Sequence, residues 1–186
     1  MFSLDGRTAA ELGVVLLRRH DHPILPQTDD RITTVPGRHG DWDFGADMRS
    51  RYFALPLEFV GCANRQALQQ RIREFAAFLV DANGNPRTMR LVFDTEPDLF
   101  YNVRYSGRLP VTRIMESGRF TLPLVAVEPW GQAKEETVVI EQITESPQEI
   151  PLTVGGTIAT PAVITIRNTG DQAITSLTIE LEQEVE

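Results

Sequence analysis

The sequence predicts an α+β fold in which one amphipathic helix covers a face of a largely antiparallel sheet, followed by a short all-β segment. Three observations carry this expectation. Between Asn64 and Asp81, Leu68, Ile72, Phe75 and Leu79 fall at i, i+4, i+7 and i+11, which places them on one helical face. Several shorter stretches alternate apolar and polar residues with period two, most clearly at Leu55, Leu57 and Phe59. After Trp130-Gly131-Gln132 the composition changes, and residues 134–186 are rich in Thr, Val, Ile and Glu and contain no aromatic residue.

Taken in order, Val14 to Arg19 is a short β-like run. Residues 21–31 read as irregular because Pro23 and Pro26 punctuate them. Pro36-Gly37-Arg38-His39-Gly40 is a tight turn whose glycines are free to adopt positive φ. Tyr52 to Val60 reads as a strand, and Pro56, which lacks an N–H, places it at a sheet edge or a bulge. Asn64 is the expected N-cap of the helix, and Asn83-Gly84-Asn85-Pro86 ends it. Arg65, Arg71, Arg73 and Glu74 fall on or near its solvated side. Three strands follow, at Met89 to Asp94, Phe100 to Gly107 and Arg119 to Val127, with turns expected at Glu96-Pro97-Asp98 and Glu116-Ser117-Gly118.

Beyond the compositional boundary, Val138 to Ile143, Ile150 to Val154, Ala162 to Arg167 and Ser176 to Leu181 are strand candidates. Gly155-Gly156 and Asn168-Thr169-Gly170-Asp171 supply turns between them. Four short strands leave edges unpaired unless a partner covers them. The expected division is therefore 1–133 and 134–186.

Charge follows the same boundary. Residues 1–133 contain equal numbers of arginine and acidic residues, so the whole net charge of −8 lies in residues 134–186. That distribution argues against a strongly basic nucleic-acid surface. Lys134 is the only lysine; arginine, which dominates, suits planar hydrogen-bonded interfaces. The N-terminus has no basic start followed by an apolar run, and no apolar stretch approaches the about 20 residues of a membrane helix. The expectation is a protein made in the cytoplasm, with no membrane partner.

Motifs for chemistry are scarce. Cys62 is the only cysteine and reads as a half-buried hydrophobe. His20 and His22 flank Asp21, but no third ligand stands at zinc-site spacing. His39 reads as a surface or interface residue within its turn. Asp41, Asp43 and Asp47 surround Trp42, yet the stretch lacks the glycine and terminal glutamate of a calcium loop and reads as a solvated loop with one anchoring aromatic. Gly155-Gly156 precedes no lysine or helix, and there is no Gly-x-Ser-x-Gly elbow. No catalytic, cofactor-binding or metal-binding residue is expected, and no cofactor.

The remaining information lies in the order of several landmarks. Phe2-Ser3-Leu4-Asp5-Gly6 is followed by Glu11-Leu12-Gly13 and then by Val35-Pro36-Gly37-Arg38-His39-Gly40. The apolar helix end Phe75 to Leu79 comes next, then Leu91-Val92-Phe93-Asp94, Glu96-Pro97-Asp98 and Tyr101, and finally Glu128-Pro129. Their order and spacing over residues 1–133 resemble the distal tail protein (Dit) family of siphophages, the long-tailed, non-contractile bacteriophages. The resemblance implies a tail-tube-like β-sandwich with a hairpin and a packed helix. It implies a structural subunit of the tail tip rather than an enzyme, one that closes a homohexameric ring between the tail tube and the tip or baseplate proteins. DNA would pass through the ring without being specifically bound. The expected partners are thus further copies of the chain, the tail tube protein and a tail-tip protein; the expected location is the virion, after assembly in the host cytoplasm. The turn Pro36, Gly37, Arg38, His39 and Gly40, with its arginine-bearing tip, is the candidate inter-subunit element.

Many members of that family continue into a galectin-like β-sandwich. Gly155-Gly156-Thr157, Pro161-Ala162-Val163-Ile164 and Asn168-Thr169-Gly170 look like the opening of that domain, without the rest. The rival reading is a carbohydrate-binding module of a tail or cell-surface protein, based on the β-rich C-terminal region with Trp42 and Trp130. A sugar platform wants several aromatics in one concave site, and residues 134–186 supply none. A tail-attached cell-wall hydrolase has no supporting motif.

Overall fold

The computed structural model describes residues 1–18, 22–114, 117–153, 155–158 and 162–180; expectations that fall on Arg19, His20, Asp21, Glu116, Val154, Pro161 and Leu181 lie outside them. The chain forms two compact units, Met1–Thr137 and Val138–Glu186.

The first unit is a mostly antiparallel β-structure with one helix. Its elements are β1 (Phe2–Leu4), β2 (Arg7–Thr8), β3 (Val14–Leu16), β4 (Thr28–Thr34), β5 (Asp41–Met48), β6 (Arg51–Phe59), α1 (Arg65–Leu79), β7 (Thr88–Phe93), β8 (Glu96–Tyr105), β9 (Thr112–Ile114), β10 (Ser117–Ala126) and β11 (Gln132–Ala133). The main sheet runs β2-β1-β7-β8-β10-β6-β3, with β11 added to β8 and β9 to β10; β4 and β5 form a separate two-stranded ribbon.

The main sheet has one dry face. Along β6, Phe53, Leu55, Leu57 and Phe59 are buried while Tyr52 and Ala54 are exposed, as the period-two pattern predicts. The sheet is strongly curled. Phe53 on β6 and Phe93 on β7 are three strand intervals apart, which in a flat sheet is roughly 14 Å, yet their ring centroids lie 5.8 Å apart. Tyr101 on β8 completes the contact at 5.1 Å from Phe53. The curl brings β1, β3, β6, β7, β8 and β10 around a single core.

Helix α1 closes the other end of that core. The side chain of Asn64 accepts the Ala67 N–H at 2.9 Å, the N-cap predicted from sequence. Leu68, Phe75 and Leu79 are buried and Ile72 packs against the cluster. The Phe75 ring meets Phe59 edge-on at 5.6 Å and Phe120 at 5.4 Å, while Phe59 and Phe120 stack at 4.7 Å. After the helix, the Asp81 carboxylate accepts the N–H groups of Asn85 at 2.8 Å and Asn83 at 2.9 Å, shaping the turn at Gly84. The Asn85 N–H, first among these donors, holds the Asp81 carboxyl below its ordinary range.

Several turns differ from the sequence expectation. Glu96-Pro97-Asp98 is not a turn but the start of β8; Phe93 pairs with Glu96, so the hairpin turns at Asp94-Thr95. Ser117 and Gly118 likewise lie inside β10, paired with Ile114 and Arg113 of β9. Gly118 is needed there for space, since a Cβ would stand 3.0 Å from Val111 and 3.3 Å from Phe59. Asp5 (φ 52°) and Gly6 (φ 78°) form the two-residue turn of a β1–β2 hairpin absent from the sequence reading. Pro56 behaves as a ladder terminator. Its carbonyl accepts the Leu17 N–H at 2.9 Å, so its own nitrogen faces the same side, where the β3 ladder stops after Leu16–Leu57.

The second unit departs most from expectation. Among the described residues of Val138–Glu186 no strand ladder forms, although four strand candidates were expected there. Val138, Ile140, Val163 and Ile164 are all exposed. A strand needs both a hydrogen-bonding neighbour and a surface to bury against, and alternation alone supplies neither.

Removing the Phe75 ring is expected to cost about 3–5 kcal/mol of stability in chemical denaturation of Phe75→Ala. Asn64→Ala should cost about 1 kcal/mol through loss of the cap. Because the Asp81 pKa is depressed, its contribution is present at neutral pH and lost as pH falls through the folded value. An NMR titration of the Asp81 carboxyl should therefore show a midpoint below the ordinary 3.8.

Candidate assembly interface

The β4–β5 ribbon is an arm whose every residue is exposed. Its register pairs Thr28 with Met48, Asp29 with Asp47, Asp30 with Ala46, Ile32 with Asp43, Thr33 with Trp42 and Thr34 with Asp41. The step from Asp30–Ala46 to Ile32–Asp43 sets Phe44 and Gly45 opposite Arg31 alone, a β-bulge. Gly45 takes φ 89° there, and the Asp43 carboxylate accepts its N–H at 2.8 Å.

Alternation sorts the arm into two faces. One holds Asp30, Ile32 and Thr34 together with Ala46, Asp43 and Asp41; the Thr34 hydroxyl donates to Asp41 at 2.7 Å. The other holds Trp42 beside Thr33 and two ion pairs, Arg31–Asp47 at 3.2 Å and Arg49–Asp29. The three aspartates of the former cluster, Asp41, Asp43 and Asp47, are thus split: Asp41 and Asp43 share a face and Asp47 points the other way. They lie on a strand, not in a solvated loop.

The candidate turn is the arm's tip. The Arg38 N–H donates to the Val35 carbonyl at 3.2 Å across Pro36 and Gly37, and Gly37 takes φ 83°. Proline followed by a positive-φ glycine is the chemistry of a type II turn. Gly40 also takes positive φ, at 81°. The Arg38 guanidinium then folds back over the Trp42 ring at 4.2 Å. Pro36, Gly37, Arg38, His39 and Gly40 are all exposed.

The arm's root is pinned by a buried cation. Arg51 is only 7% exposed and donates to the carbonyls of Pro23 and Ile24 and to the Tyr101 hydroxyl. Its guanidinium carbon lies 4.9 Å from the Tyr101 ring centroid and 5.5 Å from that of Phe53. The Arg49 N–H donates to the Gln27 carbonyl at 2.7 Å, closing the ribbon's base. Tip and root are therefore fixed while the faces between them carry Ile32, Trp42, Phe44 and Met48 into solvent, Trp42 52% and Phe44 63% exposed.

Other flagged residues fall elsewhere. His22 packs on Phe93 at 4.4 Å and Phe53 at 5.7 Å, in the core's aromatic group. Cys62 is half-buried beside the Val60 carbonyl. Among the described residues no three His, Cys, Asp or Glu side chains converge as a metal site, and no helix is long and apolar enough to cross a membrane. The Glu11-Leu12-Gly13 landmark is structural. Glu11 accepts the Thr8 N–H at 2.7 Å, Leu12 is buried, and a Cβ on Gly13 would overlap the Arg71 guanidinium.

Sequence reasoning missed β4 and β5 because neither strand has a buried face to impose alternation. The available signal was the β-branched run Ile32-Thr33-Thr34 placed against a Pro-Gly turn.

Comparison with known proteins agrees with this architecture. Residues 8–126 match the family model of the phage tail protein RIFT-related domain. The fold is similar to that of the crystal structure of SPP1 Dit (gp 19.1), whose title calls it a paradigm of the hub adsorption apparatus in phages infecting Gram-positive bacteria. That likeness has a TM-score of 0.60 at 16% identity and covers 72% of this chain. The chain spans about half, 52%, of that protein's length. Comparison with curated proteins finds no match. With the family model covering most of the sheet and the helix, the chain belongs to the phage tail protein RIFT-related domain family, and its fold is Dit-like.

Proposed function

We propose that this chain is a ring subunit of the phage tail tip, closing with copies of itself into a hexamer that joins the tail tube to the tip or baseplate proteins. The observation that carries this reading is the arm. A two-stranded ribbon without a buried face is marginal in water, yet this one is held at its root by Arg51 and exposes Ile32, Trp42, Phe44 and Met48. Such a surface makes physical sense when a neighbouring subunit covers it. Cyclic rings join unlike patches head to tail, and an arm reaching from one subunit to the next is such a contact.

Residues 1–133 form the ring in this reading, and residues 134–186 belong to a partial galectin-like appendage. The tail tube protein and a tail-tip protein flank the ring within the virion, which assembles in the host cytoplasm. DNA passes through the channel without specific recognition. The subunit acts by assembly, with no reaction of its own. The rival sugar-binding reading has less support, since Trp42 is already stacked by Arg38 on the arm.

Size-exclusion chromatography with light scattering should give a hexamer, or a lower oligomer at low concentration. A strict monomer at high concentration that binds glycans would overturn the ring. Replacing Arg38 and His39 together by alanine should weaken assembly about fivefold or more, the roughly 1 kcal/mol that separates contributing interface residues from neutral ones. Unchanged assembly would remove the turn from the interface.

A further inference from the structure

We infer that the acidic face of the arm docks on an arginine stripe formed by α1 and β9 of a second copy of this chain. The inference rests on the arm being an inter-subunit element and names the surface that receives it. Asp30, Asp41 and Asp43 share one arm face, which carries no cation. The arm's own arginines are engaged elsewhere: Arg31 with Asp47, Arg49 with Asp29, and Arg38 over Trp42. That face therefore presents three carboxylates, together with the apolar side chains of Ile32 and Met48.

A matching surface lies on the body. Arg65, Gln69 and Arg73 follow each other at four-residue spacing along α1, and Arg65 and Arg73 are exposed. Between them, Arg113 of β9 donates to Gln69 Oε1 at 2.7 Å, so a third guanidinium sits at the middle of the stripe. Arg65, Leu68, Gln69 and Arg113 line a shallow groove there. The helix's Glu74 is turned to Arg71 and Gln70 instead.

The spacings agree as well as the charges. Asp41 is opposite Thr34, four residues along β4 from Asp30, so the outer carboxylates are separated by roughly 13 Å at a strand's rise. Arg65 and Arg73 are eight residues apart on a helix, or about 12 Å. Asp43, opposite Ile32, falls midway along the first row, as Arg113 does along the second. The outer sheet face is a poorer receptor, because Arg119 is held by Glu58 at 2.9 Å and Arg90 lies over the Phe100 ring at 4.6 Å.

Charge reversal in the full chain tests this, with self-association read by light scattering at low salt. D30K/D41K/D43K and R65E/R73E/R113E should each weaken association about tenfold or more, and combining both sets in one chain should restore it to within about threefold. D30N/D41N/D43N keeps the hydrogen-bond acceptors of the arm and should weaken association less than the lysine set. Independently, Asp43→Cys with Gln69→Cys in a Cys62→Ser background should form cross-links between chains under mild oxidation, and cross-linking needs no charge variant to fold. If the arm set weakens assembly while the α1 set does not, and no cross-link forms, this docking surface is wrong and the arm still serves assembly. If deleting the arm between Arg31 and Phe44 leaves assembly intact, the inter-subunit reading falls with it.

Discussion

The body of this protein depends on a sheet that bends far enough to close on itself. Phe53, Phe93 and Tyr101 come from strands that a flat sheet would hold well apart, and their contact is what turns an open surface into a dry interior. Helix α1 then plugs the open end through Phe75, which touches Phe59 and Phe120. Each aromatic pair adds modestly beyond its buried area. Their joint effect is to fix where β6 begins and where α1 lies, which in turn fixes the root of the arm and the stripe of arginines.

Arg51 links this interior to the exposed arm. It opens β6, beside the dry aromatic layer, yet its guanidinium reaches out to the Pro23 and Ile24 carbonyls. A charge so deeply buried is tolerated because three oxygens and two ring faces receive it. The consequence is a ribbon whose base is tied to the core while its faces remain open. That combination suits an element that must find a neighbour in a set orientation, since little order remains to be imposed on binding.

Charge is arranged with similar economy. Most acidic residues of the first unit have a local partner: Asp5 holds Arg87, Glu58 holds Arg119, and Glu11 and Asp81 accept backbone N–H groups. Asp30, Asp41 and Asp43 on the arm and Arg65 and Arg73 on α1, by contrast, have no ion-pair partner among the described residues. Exposed ion pairs contribute little to affinity, but complementary rows set register and exclude wrong partners. The proposed head-to-tail ring would need that kind of selectivity, because closure depends on every copy meeting the next at the same angle.

The sequence by itself determined the elements whose period reflects a buried face: α1 with its Asn64 cap, the alternation of β6, and the strands around Leu91, Val103 and Leu122. It also determined the Pro36–Gly40 turn, because Gly37 and Gly40 are chemically required at positive φ. Tertiary structure alone decided the rest. Glu96-Pro97-Asp98 reads locally as a turn, but pairing of Phe93 with Glu96 places it in a strand. The arm strands left no hydrophobic period because neither face is buried within the subunit, so their pairing is set by the turn and the bulge at Gly45 instead. Residues after 137 show the converse, strand-like alternation that forms no ladder among the described residues. Alternation records which side chains would be buried, whereas a strand exists only where a neighbour supplies both hydrogen bonds and a surface to cover.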